Sequence, residues 1–490
     1  MRDDGTMTET GAVFPHPTRP EIGTTVPGER RARGDHRAVL AVVSIGVLLT
    51  SLDLFIVNVA LPQMARDFAV ADLSTLSWVL NAYAVAFAAL LVPAGRLGDR
   101  NGNRTAFLAG LVVFVAGSAL CGVAWNVGSL VGFRLAQALG AAVLTPTSLA
   151  LILAATPPDR RAGAVRLWVA FAGIGAALGP VLGGLLVALD WRWIFLVNVP
   201  IGLIALVLGV RLLPATRGSG GPLPDLAGAA LFTTAVAALI LGLVKGPDWG
   251  WGSAWTLGCF AAAVLLAAGF AVSSARHHSP ILDPALLRAP NFALMAVNAV
   301  FFQVAFAGML LTVVLLGQDV WGWSALRTGL AIAPGPLVVP LVAILAGRLI
   351  ARVGAGAVIA AGGVAFAAGL LWWAAAVTTE PDYVGALLGG MLVTGVGVGL
   401  TLPTSFAAGT GALSPQQFAT GSAVLSTSRQ IGLAIGVALV VAALGTPADA
   451  ADTLAGFQRG WYLTAAVAVA AGAIGLGLRT PARAAARPSA

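Results

Sequence analysis

The stretch Gly95-Arg-Leu-Gly-Asp-Arg-Asn-Gly102 decides the fold, because the chain contains it twice. The second copy is Gly347-Arg-Leu-Ile-Ala-Arg-Val-Gly354, which keeps the Gly, Arg, Leu, Arg and Gly positions. Each copy follows an apolar run of about 20 residues, the length that an α-helix needs to cross a bilayer. The match therefore indicates two related groups of membrane helices in one chain.

A second repeat lies inside the apolar runs themselves. Leu144-Thr-Pro-Thr-Ser148 resembles Leu400-Thr-Leu-Pro-Thr-Ser405, and both repeats place the second copy eight predicted helices after the first. Two matches at one helical offset predict two six-helix halves in parallel orientation, separated by an inserted helix pair. Chance similarity between short Gly-rich strings is the alternative interpretation.

The composition excludes several classes of protein. Of the 490 residues, 58% are hydrophobic and only 10% are charged, whereas soluble domains carry about 25% charged residues. The mean hydropathy is +0.91. These values indicate a polytopic helical membrane protein and exclude soluble enzymes, nucleic-acid binders and disordered scaffolds. The net charge of +8 is therefore assigned to loops facing the cytoplasm and not to a nucleic-acid surface.

Hydropathy predicts an all-α polytopic membrane protein with fourteen transmembrane helices. The predicted segments are a disordered cytoplasmic tail at 1–37, an N-terminal six-helix half at 38–213, a connector with two inserted helices at 214–291, a C-terminal six-helix half at 292–478 and a cytoplasmic tail at 479–490. The predicted spans are Ala38–Ala60, Thr75–Gly95, Thr105–Trp125, Leu130–Ala154, Val165–Ala188, Ile194–Leu213, Leu226–Val244, Trp255–Val272, Phe292–Leu315, Thr328–Ala346, Ala355–Val377, Val384–Phe406, Phe418–Leu444 and Trp461–Leu478.

Basic residues predict the orientation of the chain. Alternate loops, including those around Arg96, Arg160 and Arg348, hold most of the arginines together with the two tails. Because insertion retains Lys and Arg on the cytoplasmic side, we expect a multi-pass protein of the cell membrane with both termini in the cytoplasm. The opposite side keeps only Arg66, Arg192, Lys245, Arg327 and Arg459.

Five sequence strings occur in an order that is typical of one transporter family. They are Leu52-Asp-Leu-Phe-Ile-Val-Asn-Val-Ala-Leu-Pro62, the segment from Gly95 to Arg104, Arg134-Leu-Ala-Gln-Ala-Leu-Gly140, Gly179-Pro-Val-Leu-Gly-Gly184 and Trp191-Arg-Trp-Ile-Phe-Leu-Val-Asn-Val-Pro-Ile-Gly202. Through them the chain resembles the major facilitator superfamily, and within it the fourteen-helix drug:proton antiporter family. One departure is Ala138, where the helix-four motif usually has Gly.

The resemblance implies a proton-coupled efflux antiporter that exports an amphipathic organic compound, such as a drug or an antibiotic, by alternating access. Its expected partners are this small-molecule substrate, protons and the lipid bilayer; we expect a monomer with no nucleic-acid partner and no cofactor. The alternative is a facilitator or importer of a small metabolite in the same fold, which the pH dependence of flux direction would distinguish. An enzyme is not expected, because the predicted spans contain no cluster of nucleophiles, histidines or metal ligands.

The residue inventory also limits the energy source. The only lysine, Lys245, follows Val244, so the chain contains no Gly-Lys-Ser/Thr phosphate loop of an ATP-driven pump. No metal site is expected, because the four histidines all fall outside the predicted spans. They are His16, His36, His277 and His278.

Asp53 is the only one of the 20 acidic residues that falls well inside a predicted span. A carboxylate within the membrane is costly unless it is paired or protonated, so it marks a functional site. Arg134 lies at a depth that differs from that of Asp53 by only ~5 Å, at ~1.5 Å per residue, so the two can pair. We predict that Asp53 and Arg134 carry proton coupling; the alternative is a static ion pair between the first and fourth helices.

The segment from Gly95 to Arg104 is predicted to be a conformational loop. Gly95 and Gly102 permit a tight turn around it. The resemblance implies that Asp99 docks near a helix N-terminus of the other half in one conformation only, which biases the equilibrium by up to ~2 kcal/mol. A solvated basic loop that only sets topology is the alternative. The key residues are Gly95, Asp99, Arg100, Gly102 and Arg104, and the second copy has Ala351 in place of Asp99.

A glycine pattern marks the fifth predicted helix. Gly175, Gly179 and Gly183 recur every four residues and form a smooth stripe, beside Pro180 and Gly184. The resemblance identifies these residues as an antiporter motif, and close helix packing alone is the alternative interpretation.

Polar residues in the remaining spans are candidates for the substrate cavity. The resemblance places them in helices that line it, while a hydrogen bond between helices is the alternative for each one. The candidates are Asn58, Asn81, Tyr83, Gln137, Asn298, Gln303 and Arg429.

Overall fold

A computed structural model describes Met1 and residues 27–69, 73–215, 218, 220, 225–280, 282, 284–411, 413–444 and 450–478. All regular structure in these ranges is helical. Fourteen helices among the described residues are long and apolar enough to cross a membrane, as the sequence predicts.

The first six long helices form the N-terminal half. Polar caps fix some of their ends; for example, Asn126 accepts a 2.7 Å hydrogen bond from the Ser129 amide at the start of the fourth helix. A helical turn at Trp193–Leu196 leads into the sixth helix. The helices are α1 (Pro27–Asp67), α2 (Leu73–Asn101), α3 (Asn103–Gly122), α4 (Val127–Ala155), α5 (Arg161–Val187) and α6 (Asn198–Leu212).

The connector contributes two long helices, and the C-terminal half contributes six. Helical turns precede or follow several of them, including Leu316–Val320 and Ala325–Ile332. The connector helices are α7 (Leu226–Trp249) and α8 (Ala254–Arg276). The C-terminal half comprises α9 (Pro290–Leu315), α10 (Pro334–Val353), α11 (Ala355–Ala376), α12 (Gly389–Thr410), α13 (Phe418–Leu444) and α14 (Ala450–Leu476).

The packing repeats with the offset of eight helices that the sequence predicts. In the N-terminal half α1 packs on α5, α2 on α4 and α3 on α4, and in the C-terminal half α9 packs on α13, α10 on α12 and α11 on α12. The halves meet through α2 and α4 against α13, and through α10 and α12 against α5. Exchanging the halves maps these two sets of contacts onto each other, so the interface has a pseudo-twofold arrangement.

Several predicted boundaries are corrected. Helix α1 begins at Pro27, so the expected disordered tail is wrong over 27–37, whereas residues 2–26 and 479–490 lie outside the described residues. Helix α7 continues beyond Val244 to Trp249, and its last turns contain Lys245, whose Nζ lies 2.9 Å from Asp248 Oδ2.

The predicted loop from Gly95 to Arg104 is also wrong for most of its length. Helix α2 continues through Asn101 and α3 begins at Asn103, so only Gly102 lies between them, with a φ of 99°. The hydropathy of this segment falls because its side chains are polar, yet its backbone stays helical and extends the helix past the apolar region. Gly102 alone needs the left-handed conformation that a glycine adopts freely.

The inserted helix pair lies beside the junction of the two halves. Helix α7 packs on α8 and also contacts α2 and α13. Ala89 of α2, Ile240 of α7 and Ala434 of α13 share one small buried cluster. Asp225 caps α7 by accepting a 2.7 Å hydrogen bond from the Gly228 amide. Through α7, the inserted pair therefore contacts both halves.

Candidate functional site

Asp53 of α1 and Arg134 of α4 form an ion pair in the interior of the N-terminal half. Arg134 Nη1 lies 2.6 Å from Asp53 Oδ2, and both side chains are almost completely buried. Arg134 also donates from Nε to the Val79 carbonyl at 3.3 Å, and its guanidinium lies 3.9 Å from the centre of the Tyr83 ring. The guanidinium is thus fixed by a carboxylate, a carbonyl and an aromatic face.

Neutral side chains complete the shell around the carboxylate. Asp53 Oδ1 accepts from Gln137 Nε2 at 2.8 Å and from Asn198 Nδ2 at 3.2 Å. Gln137 also accepts from Arg134 Nη1 at 2.6 Å and donates to Ser118 Oγ at 2.6 Å. Four helices, α1, α3, α4 and α6, therefore contribute to one buried network whose net charge is zero while Asp53 is ionised.

Sequence reasoning missed Ser118 and Asn198. Each is a single neutral polar residue in an apolar span, and nothing in the sequence distinguishes such a residue from one that only joins two helices. Asn198 falls inside the quoted string that ends at Gly202, which is the one signal that could have drawn attention to it.

A cavity of about 180 Å³ lies between the two halves. Helices α1, α2, α4 and α5 line it from one side, and α9, α10, α12 and α13 line it from the other. Its wall is mainly apolar and aromatic, with Phe55, Phe87, Trp168 and Phe306 among the lining residues. A mostly apolar pocket with a few polar groups is the usual environment of a small organic ligand.

Tyr83 separates this cavity from the buried ion pair. Its side chain lines the cavity, and the same ring lies against the Arg134 guanidinium. On α1, the cavity is lined by Ser51 and Leu54, which flank Asp53 in the sequence, while Asp53 itself is enclosed. The ion pair and the cavity thus share one aromatic ring and one helix.

The structure brings some of the predicted cavity residues together and separates the others. Besides Tyr83, Gln303 and Arg429 line the cavity, and Arg429 Nε donates to Gln303 Oε1 at 3.2 Å. Gln137 does not line it, because its amide is engaged in the Asp53 network. Asn298 does not line it either, since it donates to the Ala471 carbonyl at 2.7 Å and accepts from Ser405 at 2.7 Å.

Two cavity candidates remain to be placed. Asn81 is half-buried on α2, outside the lining of the cavity. Asn58 lies in α1, and its side chain falls outside the described part of the chain. Bonds between helices are thus made by Asn298 and Gln137, and also by Gln303 and Arg429, which line the cavity together with Tyr83.

We call the two ends of the helix bundle the Asp99 end, where α2 turns into α3, and the Asp67 end, where α1 finishes. At the Asp99 end, the buried carboxylate of Asp99 reaches across to the N-terminus of α13. It accepts from the amides of Ala419 at 3.1 Å and Thr420 at 2.8 Å, and from the Thr420 hydroxyl at 2.7 Å. A carboxylate is favoured there because unpaired amides and the helix dipole both point toward it.

The neighbours of Asp99 support this contact between the halves. A Cβ atom at Gly95 would lie 2.7 Å from the Ala419 carbonyl oxygen, so only glycine permits α2 and α13 to approach this closely. Arg104 donates to the Val210 carbonyl of α6 at 2.6 Å, whereas Arg100 is turned to its neighbour Asn101 at 3.1 Å on the surface.

The glycine stripe of α5 packs against α1. A Cβ atom at Gly175 would lie 2.8 Å from the Leu48 carbonyl oxygen, and one at Gly179 would lie 2.8 Å from Phe55 Cβ. Gly183 meets Ile56 in the same way, at 3.0 Å from its carbonyl oxygen. The stripe thus holds α5 directly against the helix that carries Asp53. Close packing accounts for these three glycines in this conformation.

The last residues of the antiporter motif differ from the stripe. Gly184 faces the other half, since a Cβ atom there would lie 3.0 Å from Leu326 Cδ1 at the Asp67 end. Pro180 lies in α5, and its side chain falls outside the described part of the chain. Contacts between the halves therefore exist at both ends of the cavity, through Asp99 at one and Gly184 at the other.

Comparisons with known proteins agree with this architecture. The family described as Major Facilitator Superfamily matches residues 43–437. The crystal structure of the human organic anion transporter MFSD10 (TETRAN) superposes with a TM-score of 0.66 and 16% sequence identity, covering 90% of this chain and 99% of that one. At this identity the likeness concerns the fold alone.

Curated relatives are more similar in sequence. The tetracenomycin C resistance and export protein of Streptomyces glaucescens is 36% identical over 69% of this chain, and the match spans only 63% of that relative's length. The multidrug resistance protein Stp of Mycobacterium tuberculosis is 36% identical over 82% of this chain and 74% of the relative. The cephamycin export protein CmcT of Amycolatopsis lactamdurans is 35% identical over 81% of this chain and 83% of the relative.

Proposed function

Because the chain belongs to the Major Facilitator Superfamily, we propose that it is a proton-coupled antiporter that exports an amphipathic organic compound across the cell membrane. Its relatives named as resistance or export proteins support efflux of an antibiotic-like molecule. The observation that carries the proposal is the buried Asp53–Arg134 pair, which one aromatic ring separates from a cavity between the halves.

The charge of the buried network supports the proposed proton coupling. With Asp53 ionised, the network is neutral and Arg134 is fully compensated. Protonation of Asp53 leaves the guanidinium as an unbalanced buried cation, which is costly inside a membrane protein. The guanidinium then has to move or find another partner, and Tyr83 has to move with it because their faces are in contact. The proton thereby changes the wall of the cavity.

The contacts at the two ends support the proposed alternating access. Asp99 joins α2 to α13 at one end, and Gly184 of α5 meets Leu326 at the other. Rocking of the two halves about the cavity breaks one of these contacts while keeping the other. A carboxylate bound to a helix N-terminus stabilises only the conformation in which that contact exists, so Asp99 biases the cycle toward closure of its own end.

The proton gradient is sufficient to drive such an exchange. A proton that moves through ~100 mV gains ~2.3 kcal/mol, and one pH unit adds ~1.4 kcal/mol. Together these sustain a substrate gradient of about 2.7 decades per proton. No further energy source is needed for resistance to a compound that enters the cell by diffusion.

The test is an efflux measurement on Asp53→Asn, which keeps the shape of the side chain and removes its charge. A pump-deficient host that expresses the wild-type protein identifies an exported compound from a panel of antibiotics. Proteoliposomes with an imposed pH gradient then measure transport of that compound. We expect the wild-type protein to accumulate it against its gradient and Asp53→Asn to lose this ability.

The matched control is Asp67→Asn, the same substitution on the same helix. Asp67 lies at the end of α1, where it is 40% exposed and pairs with Arg192 at 3.2 Å. Uphill transport by Asp67→Asn should equal that of the wild-type protein. Uphill transport that persists in well-folded Asp53→Asn, or that is absent from the wild-type protein, refutes proton-coupled antiport and favours a facilitator.

A further inference from the structure

The cavity between the halves contains one permanent charge among its described lining residues, that of Arg429 on α13. The side chain is only partly buried, so it faces the cavity space. The polar residues that surround the cavity with it, such as Thr50, Gln303 and Gln430, are neutral. The lining is therefore cationic at one point and otherwise apolar or uncharged.

Arg429 has no counter-charge within the part of the protein that the structure describes. None of the ion pairs there includes it, and its one hydrogen bond runs from Nε to Gln303 Oε1. Its two Nη nitrogens have no protein partner in this part of the chain and are not sealed from the cavity. Arg134 is the contrast, because Asp53 neutralises it completely.

The position of this guanidinium is fixed by tight helix packing. Gly432, one helical turn further along α13, lies against the Val300 carbonyl of α9, and its missing side chain lets the two helices touch. Gln303 on α9 then holds Arg429 Nε from the side, and the Phe406 ring lies 5.6 Å from the guanidinium carbon. The free edge of the guanidinium is thus presented to the cavity by neighbours that supply no negative charge.

A charged arginine without a counter-charge inside a membrane protein is costly, so its presence points to a ligand that neutralises it. A planar guanidinium with two free Nη groups matches an oxyanion such as a carboxylate or a sulfonate, which accepts two parallel hydrogen bonds. The aromatic walls at Phe87, Trp168 and Phe306 fit a flat apolar body. Aromatic faces also attract cations, but the unpaired charge of Arg429 opposes them.

We propose that the exported compound is an aromatic amphipath with an anionic oxygen group, and that Arg429 is its counter-ion and sets the charge preference of the cavity. This rests on the proposed function and names the substrate class of the same cavity. The guanidinium binds the anionic group, and the aromatic walls bind the apolar body. Gln303 positions the guanidinium and does not itself select for charge.

The test compares three probes that share one fluorophore and differ in charge. Dansylglycine is an anion, dansylamide is neutral and dansylcadaverine is a cation. Binding to the purified full-length protein in detergent is followed by fluorescence at neutral pH. We expect dansylglycine to bind at least tenfold more tightly than dansylcadaverine, which corresponds to about 1.4 kcal/mol.

Two substitutions test whether Arg429 causes the preference for the anionic probe. Arg429→Gln should reduce the affinity for dansylglycine at least tenfold and leave dansylamide within twofold, while Arg429→Lys should keep most of the preference for the anion. Arg459→Gln, the same substitution at an exposed arginine of α14 outside the cavity lining, should keep the ratio of the wild-type protein. Size-exclusion profiles establish that each variant is folded.

The proposal is overturned if dansylglycine does not bind, if the cation binds as tightly as the anion, or if the anion preference survives in folded Arg429→Gln. Binding in detergent needs no proton gradient. A failure here therefore leaves the coupling role of Asp53 intact, and loss of coupling in the efflux test leaves the charge preference intact.

Discussion

The contact between Asp99 and the N-terminus of α13 allows a quantitative prediction for Asp99→Asn. The carboxylate accepts three hydrogen bonds across the two halves, two from amides and one from the Thr420 hydroxyl. Asparagine has the same shape, but it loses the charge and one acceptor oxygen. The net loss is about 2 kcal/mol, since a charge at a helix N-terminus contributes up to about this amount and water replaces the bonds in the open form. Opening of the Asp99 end should become about 30-fold more frequent.

A cysteine at Ser422 reports this opening. Ser422 is buried on α13 and donates to the Pro146 carbonyl of α4 at 3.2 Å, so it is reached only when the two halves separate at the Asp99 end. In a background without the native Cys121 and Cys259, the rate of maleimide labelling at this position should rise about 30-fold in Asp99→Asn. Asp159→Asn, an exposed residue at the same end, is the control and should leave the rate unchanged. Labelling rates within twofold of each other in Asp99→Asn and its parent would refute the reasoning.

Two further predictions concern packing. Gly179→Val should lower the stability of the protein by about 1–3 kcal/mol, because the new side chain meets Phe55 on α1. Thermal unfolding measures this loss. The control is Gly173→Val, which has open space around it and should melt like the wild-type protein. Phe260→Ala on α8 should cost about 1–2 kcal/mol of stability, because its contact with Gly242 of α7 is lost. The pH dependence of efflux should stay unchanged. A normally expressed variant that has lost its pH response would instead place the inserted pair in the transport pathway.

The helix count and the repeat could be predicted from the sequence because both depend on local properties. A span needs about 20 apolar residues, and each of the fourteen spans meets this requirement by itself. The repeat at Gly95 and Gly347 preserves the residues at which helices pack or turn. The prediction of a loop between Gly95 and Asn101 was wrong. Polar side chains lower the hydropathy of this segment, but they do not end the helix.

The site was only partly predictable for a different reason. Asp53 and Arg134 stand out because charges are rare in membrane spans, so the sequence alone identifies them. Ser118 and Asn198 carry no such signal, and their role in the Asp53 network emerges only when α3 and α6 are packed beside α1. The cavity wall is mostly apolar, and apolar residues facing a cavity cannot be distinguished in the sequence from those facing lipid.

The central claim is that Asp53 carries the proton that is exchanged for substrate. Proton movement is measured in proteoliposomes that contain an entrapped pH-sensitive dye and start without a pH gradient. A gradient of the exported compound is then imposed. In the wild-type protein and in Asp67→Asn, movement of the compound down its gradient should drive protons in the opposite direction. In Asp53→Asn, the dye signal should stay at the level of protein-free liposomes. Proton movement at the wild-type rate in folded Asp53→Asn would contradict the assignment of the proton to this carboxylate.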